Sequence, residues 1–233
     1  MEGRKRKMIL ALNHKSNFTK EQILNYVEKY KKFDSKGHTM IICPSSCYLP
    51  YFSDFLLGCQ DVSPYSFGAY TGAISAEAFA SLGVKYSIIH HSEREKCFKE
   101  SLEVAKKKLE QAINVGLTPI LCVGDTKDEH ERGKTLEVIE GQLQFLLEGL
   151  APHSLFIAYE PIYAIGTGYV PENKEIEEVL SMIKEYYSYP VLYGGSVNEK
   201  NIEVLKQIKG LGGFLLGGIS LDLKALQTLC DRL

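Results

Sequence analysis

The chain has 233 residues, 45% hydrophobic and 24% charged, with 27 Lys and Arg against 29 Asp and Glu for a formal charge of −2. That composition is ordinary for a soluble globular protein. It gives no general electrostatic case for nucleic acid or an anionic membrane as partner.

The chain opens on its one basic run, Arg4-Lys5-Arg6-Lys7, which reads as a solvated extension over residues 1–7 because the sequence turns apolar directly afterwards. The next run, 8–12, is shorter than a leader peptide's apolar core and stops at Asn13-His14-Lys15. No later stretch reaches the ~18 apolar residues a membrane span needs. Short apolar runs then recur at 39–43, 55–59, 86–90, 118–122, 155–159, 190–193 and 213–216. They are continuous rather than alternating, as strands covered on both faces are in parallel sheets.

Helical patterns lie between the runs. In 21–33, Ile23, Leu24, Val27 and Tyr30 form one apolar stripe, and in 102–115, Leu102, Ala105, Leu109 and Ile113 do the same. Further helices are expected at 135–147, 174–187, 198–208 and 221–233, with shorter segments after the second and third runs. Eight strand-like runs alternating with helices predict an α/β fold of the (β/α)8 barrel type, eight parallel strands in a single domain over 1–233. An open doubly wound sheet is the alternative, but its Gly-x-Gly-x-x-Gly turn is replaced here by Asn13-His14-Lys15-Ser16-Asn17.

The six cysteines form no Cys-x-x-Cys pair, and Cys43 and Cys47 lack the further ligands of a zinc site. Several sit in apolar runs and read as small core residues, which points to a reducing, cytoplasmic compartment.

A barrel of this type gathers its function at the C-terminal ends of the strands. The first run ends in Asn13-His14-Lys15, where an extended segment would point Asn13 and Lys15 to one side. Read alone, a lysine after a strand, as Lys15 is, is usually a solvated loop residue. The fourth run ends in His90-His91-Ser92-Glu93-Arg94. His91 there is either a structural ring or a substrate-facing one, kept neutral by a helix that starts beside it. Glu160 closes the sixth run before Pro161; it is a general base among apolar neighbours or a capped, ion-paired carboxylate.

The segment Pro161-Ile162-Tyr163-Ala164-Ile165-Gly166-Thr167-Gly168 is apolar, stiff at its flank and glycine-tipped. It reads as a lid or as a longer barrel loop. Gly194-Gly195 and Gly217-Gly218 follow the last two runs and each precedes a helical segment, an arrangement whose bare N–H groups suit phosphate, though either pair is also a plain tight turn. Together the residues specify proton transfer beside a carbonyl on a small phosphorylated substrate. They include no metal cluster and no dinucleotide fingerprint, so neither a metal nor a cofactor is expected.

In these motifs the whole chain resembles the triosephosphate isomerase family. The matching stretches are Asn13-His14-Lys15, Gly58 to Gly72, His91-Ser92-Glu93-Arg94, Cys122-Val123-Gly124-Asp125, Tyr159 to Gly168, Tyr193-Gly194-Gly195-Ser196-Val197 and Gly217-Gly218. The resemblance implies that Glu160 abstracts the proton and neutral His91 polarises the carbonyl and serves the two enediolate oxygens. It gives Lys15 and Asn13 to the substrate, and backbone N–H groups of Gly166, Ser196, Gly217 and Gly218 to its phosphate. Glu93 would orient Lys15 and Asn13, and the Thr71 loop would insert beside the partner's site in a homodimer. Dihydroxyacetone phosphate and glyceraldehyde 3-phosphate are the implied substrates.

The sequence departs from the family pattern in several places. His90 stands for a glycine, Glu95 for an arginine, and Ala73 for the glutamate that pairs with the neighbouring subunit's arginine at the position of Arg94. Asp61 and Asp125 replace an amide and a longer acid, and Tyr163 replaces the lid tryptophan. Pro171 removes a backbone N–H that Tyr193 would bind in the closed lid. A barrel aldolase using Lys15 as a Schiff base and a non-catalytic phosphosugar-binding protein are the competing classes.

Overall fold

The computed structural model describes residues 6–167 and 169–233. Arg4 and Lys5 of the basic run and Gly168 of the segment read as a lid or a longer loop lie outside the described residues. The strands are β1 (Ile9–Asn13), β2 (Thr39–Cys43), β3 (Gly58–Cys59), β4 (Tyr86–Ile89), β5 (Thr118–Val123), β6 (Phe156–Tyr159), β7 (Val191–Tyr193) and β8 (Leu211–Leu216). All pair in parallel, in the order β2-β1-β8-β7-β6-β5-β4-β3. A bridge between Ile42 and Leu57 joins the two ends, so the sheet closes into a barrel whose seam lies between β2 and β3.

Two apolar layers follow from the two faces of these strands. Ala11, Ile41, Cys43, Ile88, Ile120, Cys122, Ala158, Leu192 and Leu215 point inward and fill the lumen. Their alternating neighbours, among them Leu10, Leu12, Ile42, Ile89, Leu121, Ile157, Val191 and Phe214, pack against the helices outside. The apolar runs are unbroken because both faces are buried. Cys43, Cys59, Cys122 and Cys230 are buried thiols, whereas Cys47 and Cys97 are exposed, and none is in a disulfide.

The helices are α1 (Lys20–Tyr30), α2 (Ala76–Ser81), α3 (Ser92–Phe98), α4 (Leu102–Asn114), α5 (Lys127–Glu131), α6 (Thr135–Leu147), α7 (Asn173–Tyr186), α8 (Ile202–Leu205) and α9 (Leu223–Arg232). Side-chain caps start several of them: Thr19 with Gln22 on α1, Ser101 on α4, Thr126 with Glu129 on α5 and Asp222 on α9. Three expectations need correction. The third strand does not begin at Phe55, whose N–H donates to the Phe52 carbonyl in a turn while its ring packs on Tyr30 outside the barrel. The helix expected at 198–208 shrinks to α8, because Asn198 and Asn201 bond neighbouring backbone groups that a helix would use. On α1 Leu24 is exposed and Tyr26 takes its place in the buried stripe.

Candidate active site

At the C-terminal rim, a cavity of about 260 Å³ is lined by Asn13, Lys15, His91, Glu160, Ile165, Gly166, Gly194, Gly195, Ser196, Gly217 and Gly218, with Val197, Asn198, Leu215 and Ile219. Five of the eight strand ends thus meet around a space sized for a small metabolite. Every residue expected to be catalytic or to bind substrate is in this lining. Glu93, Thr71 and Tyr193 are not; Glu93 acts on the lining from behind and Tyr193 lies beneath it, while Thr71 is in an exposed loop elsewhere.

Lys15 does not continue the strand: its φ of 52° is left-handed, so the extended geometry expected for Asn13 and Lys15 is replaced by a turn. The turn is pinned by side chains. Asn13 Oδ1 accepts the Lys15 N–H at 3.0 Å, and the Lys15 carbonyl accepts from Gln60 Nε2 at 2.8 Å and Ser45 Oγ at 3.0 Å. Lys15 Nζ pairs with Glu93 Oε1 at 2.5 Å. Gln60 and Ser45 were not singled out in the sequence, since their task is exerted on a carbonyl that any residue carries.

His91 caps α3, its Nδ1 accepting the Glu93 N–H at 3.1 Å. A nitrogen that accepts carries no proton, so this hydrogen-bond pattern assigns a neutral ring with its proton on Nε2. Nε2 lies 3.1 Å from Glu160 Oε1, and Glu160 Oε2 accepts the Ser92 N–H at 3.0 Å. Glu160 is 2% exposed and has no Lys or Arg partner among the described residues at these distances. Its carboxylate is held by two neutral donors, and a substrate must draw it off them.

Glycines make room for these groups. A Cβ on Gly194 would come 2.8 Å from Glu160 Cγ, and one on Gly195 would overlap the Tyr193 hydroxyl. The expected helix start after Gly194-Gly195 is absent; α8 begins at Ile202. Gly217-Gly218 does lead into a 3₁₀ turn, Gly218–Leu221, and a Cβ on Gly217 would lie 3.2 Å from Lys15 Cε, so this corner sits against the cation. Ser196 contributes more than an N–H: its Oγ donates to the Ala164 carbonyl at 2.6 Å, tying the loop after β7 to the segment after β6.

That segment turns through 3₁₀ geometry at Ile162–Ala164 and places Gly166 at φ 70°. Tyr163 stacks on His130 at 4.5 Å between ring centroids. Tyr193 is fully buried, and its hydroxyl has no hydrogen-bond partner among the described residues. Burial pushes that hydroxyl's pKa upward, so it stays a donor in search of an acceptor.

The departures acquire physical content. His90 has φ 59°, the left-handed conformation that favours glycine, and its ring is buried with Nδ1 3.8 Å from Glu100 Oε1. Arg94 has acidic partners in its own chain, Asp61 Oδ2 at 3.2 Å and Glu100 Oε2 at 3.2 Å. Lys108 completes the cluster at 2.6 Å from Asp61 and 2.5 Å from Glu100. Burial alone would raise the Glu100 pKa, but donors from His90, Lys108 and Arg94 outweigh it and hold it at about 2. Asp61 thus supplies a counter-charge to Arg94 within the chain.

A family model described as "Triosephosphate isomerase" matches residues 8–233. A protein of that name from Wolbachia sp. subsp. Brugia malayi is 40% identical over 220 residues, 92% of this chain and 92% of the relative. The Campylobacter hominis protein of that name is 36% identical over 233 residues, 97% of this chain and 100% of its own. The one from Mesomycoplasma hyopneumoniae strain 7448 is 39% identical over 230 residues, 93% of this chain and 95% of its own.

Proposed function

This chain belongs to the triosephosphate isomerase family, and from that premise we propose how its residues interconvert dihydroxyacetone phosphate and glyceraldehyde 3-phosphate. Glu160 leaves the Ser92 N–H and His91, takes the proton from the carbon beside the carbonyl and returns it to the neighbouring carbon. His91 donates its Nε2 proton to the carbonyl oxygen and then serves both oxygens of the enediolate. Lys15 and Asn13 stabilise the charge that develops there. Backbone N–H groups of Gly166, Ser196, Gly217 and Gly218 hold the phosphate, and the segment carrying Gly166 closes over it as a lid that excludes water. Glu93 orients Lys15.

The observation that carries this reading is the contact of 3.1 Å between Glu160 Oε1 and His91 Nε2, beside Lys15 in one cavity. A base and a neutral acid share a space with a cation, which is what proton transfer next to a carbonyl requires. An aldolase is disfavoured because a Schiff-base lysine needs a desolvated, unpaired amine, whereas Lys15 is paired with Glu93. A coupled assay in both directions tests the assignment. Glu160→Asp and His91→Gln should each lower kcat by about 10²–10⁴-fold. An inactive parent chain, or variants matching it, would contradict the reading.

The same reading makes the chain one barrel domain acting as a homodimer in the cytoplasm. Phe67, Tyr70 and Ile74 expose apolar surface next to a cavity of about 480 Å³ bounded by Asp61, Arg94, Phe98 and Lys108. A projecting apolar loop beside a recess on one chain is the self-complementary arrangement a two-fold dimer uses. Thr71 lies in that loop and would approach the partner's site. The unpaired cysteines suit a reducing compartment. No helix among the described residues is long and apolar enough to cross a membrane.

A further inference from the structure

We infer that His90 is a positioning residue for His91 and Glu160: with Asp61 and Glu100 it belongs to one compensated charge cluster that holds α3, the helix whose first turn serves both catalytic groups. This role deepens the isomerase reading and rests on it.

His90 and Asp61 both depart from the family pattern, and the structure brings them to the same three side chains, Arg94, Glu100 and Lys108. Lys108 Nζ lies 2.6 Å from Asp61 Oδ1 and 2.5 Å from Glu100 Oε2. Arg94 divides itself in the same way, with Nη2 3.2 Å from Asp61 Oδ2 and Nε 3.2 Å from Glu100 Oε2. Two carboxylates therefore share two cations, and Glu100 Oε1 receives neither. That oxygen faces His90 Nδ1 at 3.8 Å. Both atoms are buried and have no hydrogen-bond partner among the described residues. A buried carboxylate oxygen without a donor is costly, and the His90 ring, with its proton on Nδ1, is the donor that faces it. An amide at position 61 would leave both cations to Glu100, and the need for a donor at position 90 would go. The two departures compensate each other.

The cluster brackets α3. His90 precedes the helix at φ 59°, so its side chain is kept there against a backbone preference for glycine. Glu100 lies past the other end, beyond Lys99 at φ 56°, and its N–H donates to the Arg94 carbonyl at 3.2 Å. Arg94 is on α3 itself, Lys108 ties the cluster to α4, and Asp61 ties it to the loop after β3. The first turn of α3 gives the Glu93 N–H to His91 Nδ1 at 3.1 Å and the Ser92 N–H to Glu160 Oε2 at 3.0 Å. A shift of this helix therefore moves the partners of the acid and of the base together. His90 is outside the cavity lining and acts only through the helix.

The test compares kcat, KM and thermal midpoint for the parent chain, His90→Gly, His90→Asn, Asp61→Asn and the Asp61→Asn/His90→Gly pair, at a low and a high protein concentration. Glycine takes the left-handed backbone more readily than histidine, so His90→Gly should keep its thermal midpoint. Its kcat should fall about tenfold, less than the ~10²-fold cost of a misplacement of order 1 Å, with KM within about twofold. Asparagine tolerates the same backbone and carries an amide N–H near the Nδ1 position, so His90→Asn should stay within about twofold of the parent. In the Asp61→Asn background, His90→Gly should cost no more than about twofold in kcat. A His90→Gly kcat equal to the parent's, or the same loss in both backgrounds, would overturn the role. So would a loss that vanishes at the higher concentration, which would assign His90 to subunit assembly. A fall of kcat and thermal midpoint together in both His90 variants would mark a merely structural residue and overturn it as well. Absence of turnover in the parent would instead remove the isomerase reading, and the role of His90 with it.

Discussion

Glu160 is placed as much by what its neighbours lack as by what they offer. Gly194 leaves the 2.8 Å that the carboxylate stem occupies, and Ser92 contributes only an N–H. Gly194→Ala should therefore displace the base and lower kcat/KM by about 10²-fold, the cost of a misplacement of order 1 Å, with little change in thermal stability. Activity within twofold of the parent would show that the carboxylate has room to spare. Asn13, Lys15, His91 and Glu160 stood out in the sequence as polar side chains at the ends of apolar runs, and although Lys15, His91 and Glu160 each had a structural alternative, the structure brings all four into one cavity. Gln60 and Ser45 did not, since they act on a backbone carbonyl of a distant segment, and neither did Ser92's contact, since it gives Glu160 only the N–H that almost any residue carries. The left-handed turn at Lys15 was hidden for a related reason: the three bonds that hold it come from β1 and two later loops.

At the scale of elements, long amphipathic helices such as α4 and α6 could be read from periodicity, while α3 and α5 could not. These last are short and polar, and they form because caps start them: His91 on α3, Thr126 with Glu129 on α5. Both bear on the rim, since the first turn of α3 donates to the His91 ring and α5 carries the His130 ring that stacks on Tyr163. His14 is another element-level feature. It follows β1 and sits wholly buried among Phe18, Tyr26 and Phe52, at centroid distances of 5.4, 4.8 and 5.9 Å. Burial lowers its pKa from 6.5 to about 4. An unfolded chain binds the proton first as pH falls through 6.5, so folding stability is full above that pH and declines toward pH 4. The loss reaches about 3 kcal/mol, because each tenfold difference in proton affinity between the two states is worth about 1.4 kcal/mol. Urea titrations at fixed protein concentration should show that His14→Phe removes this part of the slope; an unchanged slope would mean the ring is reached by protons in the folded state.

The whole molecule follows from one property of its strands. Runs apolar on both faces close into a barrel, with small residues such as Ala11, Cys43, Cys122 and Ala158 among the branched ones of the lumen. That plug leaves the rim as the open place for chemistry. The architecture was legible because eight such runs alternate with helices; the seam was not, because β3 keeps only Gly58 and Cys59 and its link to β2 is the single bridge from Ile42 to Leu57. With a formal charge of −2 the chain as a whole carries no positive excess, and the cation in the rim cavity is Lys15. The central claim is that Glu160 moves one proton between adjacent carbons of a triose phosphate. Its most direct test is proton NMR of dihydroxyacetone phosphate turned over in D₂O. The parent chain should form glyceraldehyde 3-phosphate with solvent deuterium at the former carbonyl carbon, and label recovered dihydroxyacetone phosphate at its hydroxymethyl carbon, and Glu160→Gln should slow both events together by about 10²–10⁴-fold. Deuterium entering at the parent rate in Glu160→Gln, or isomerisation without that carboxylate, would contradict the account.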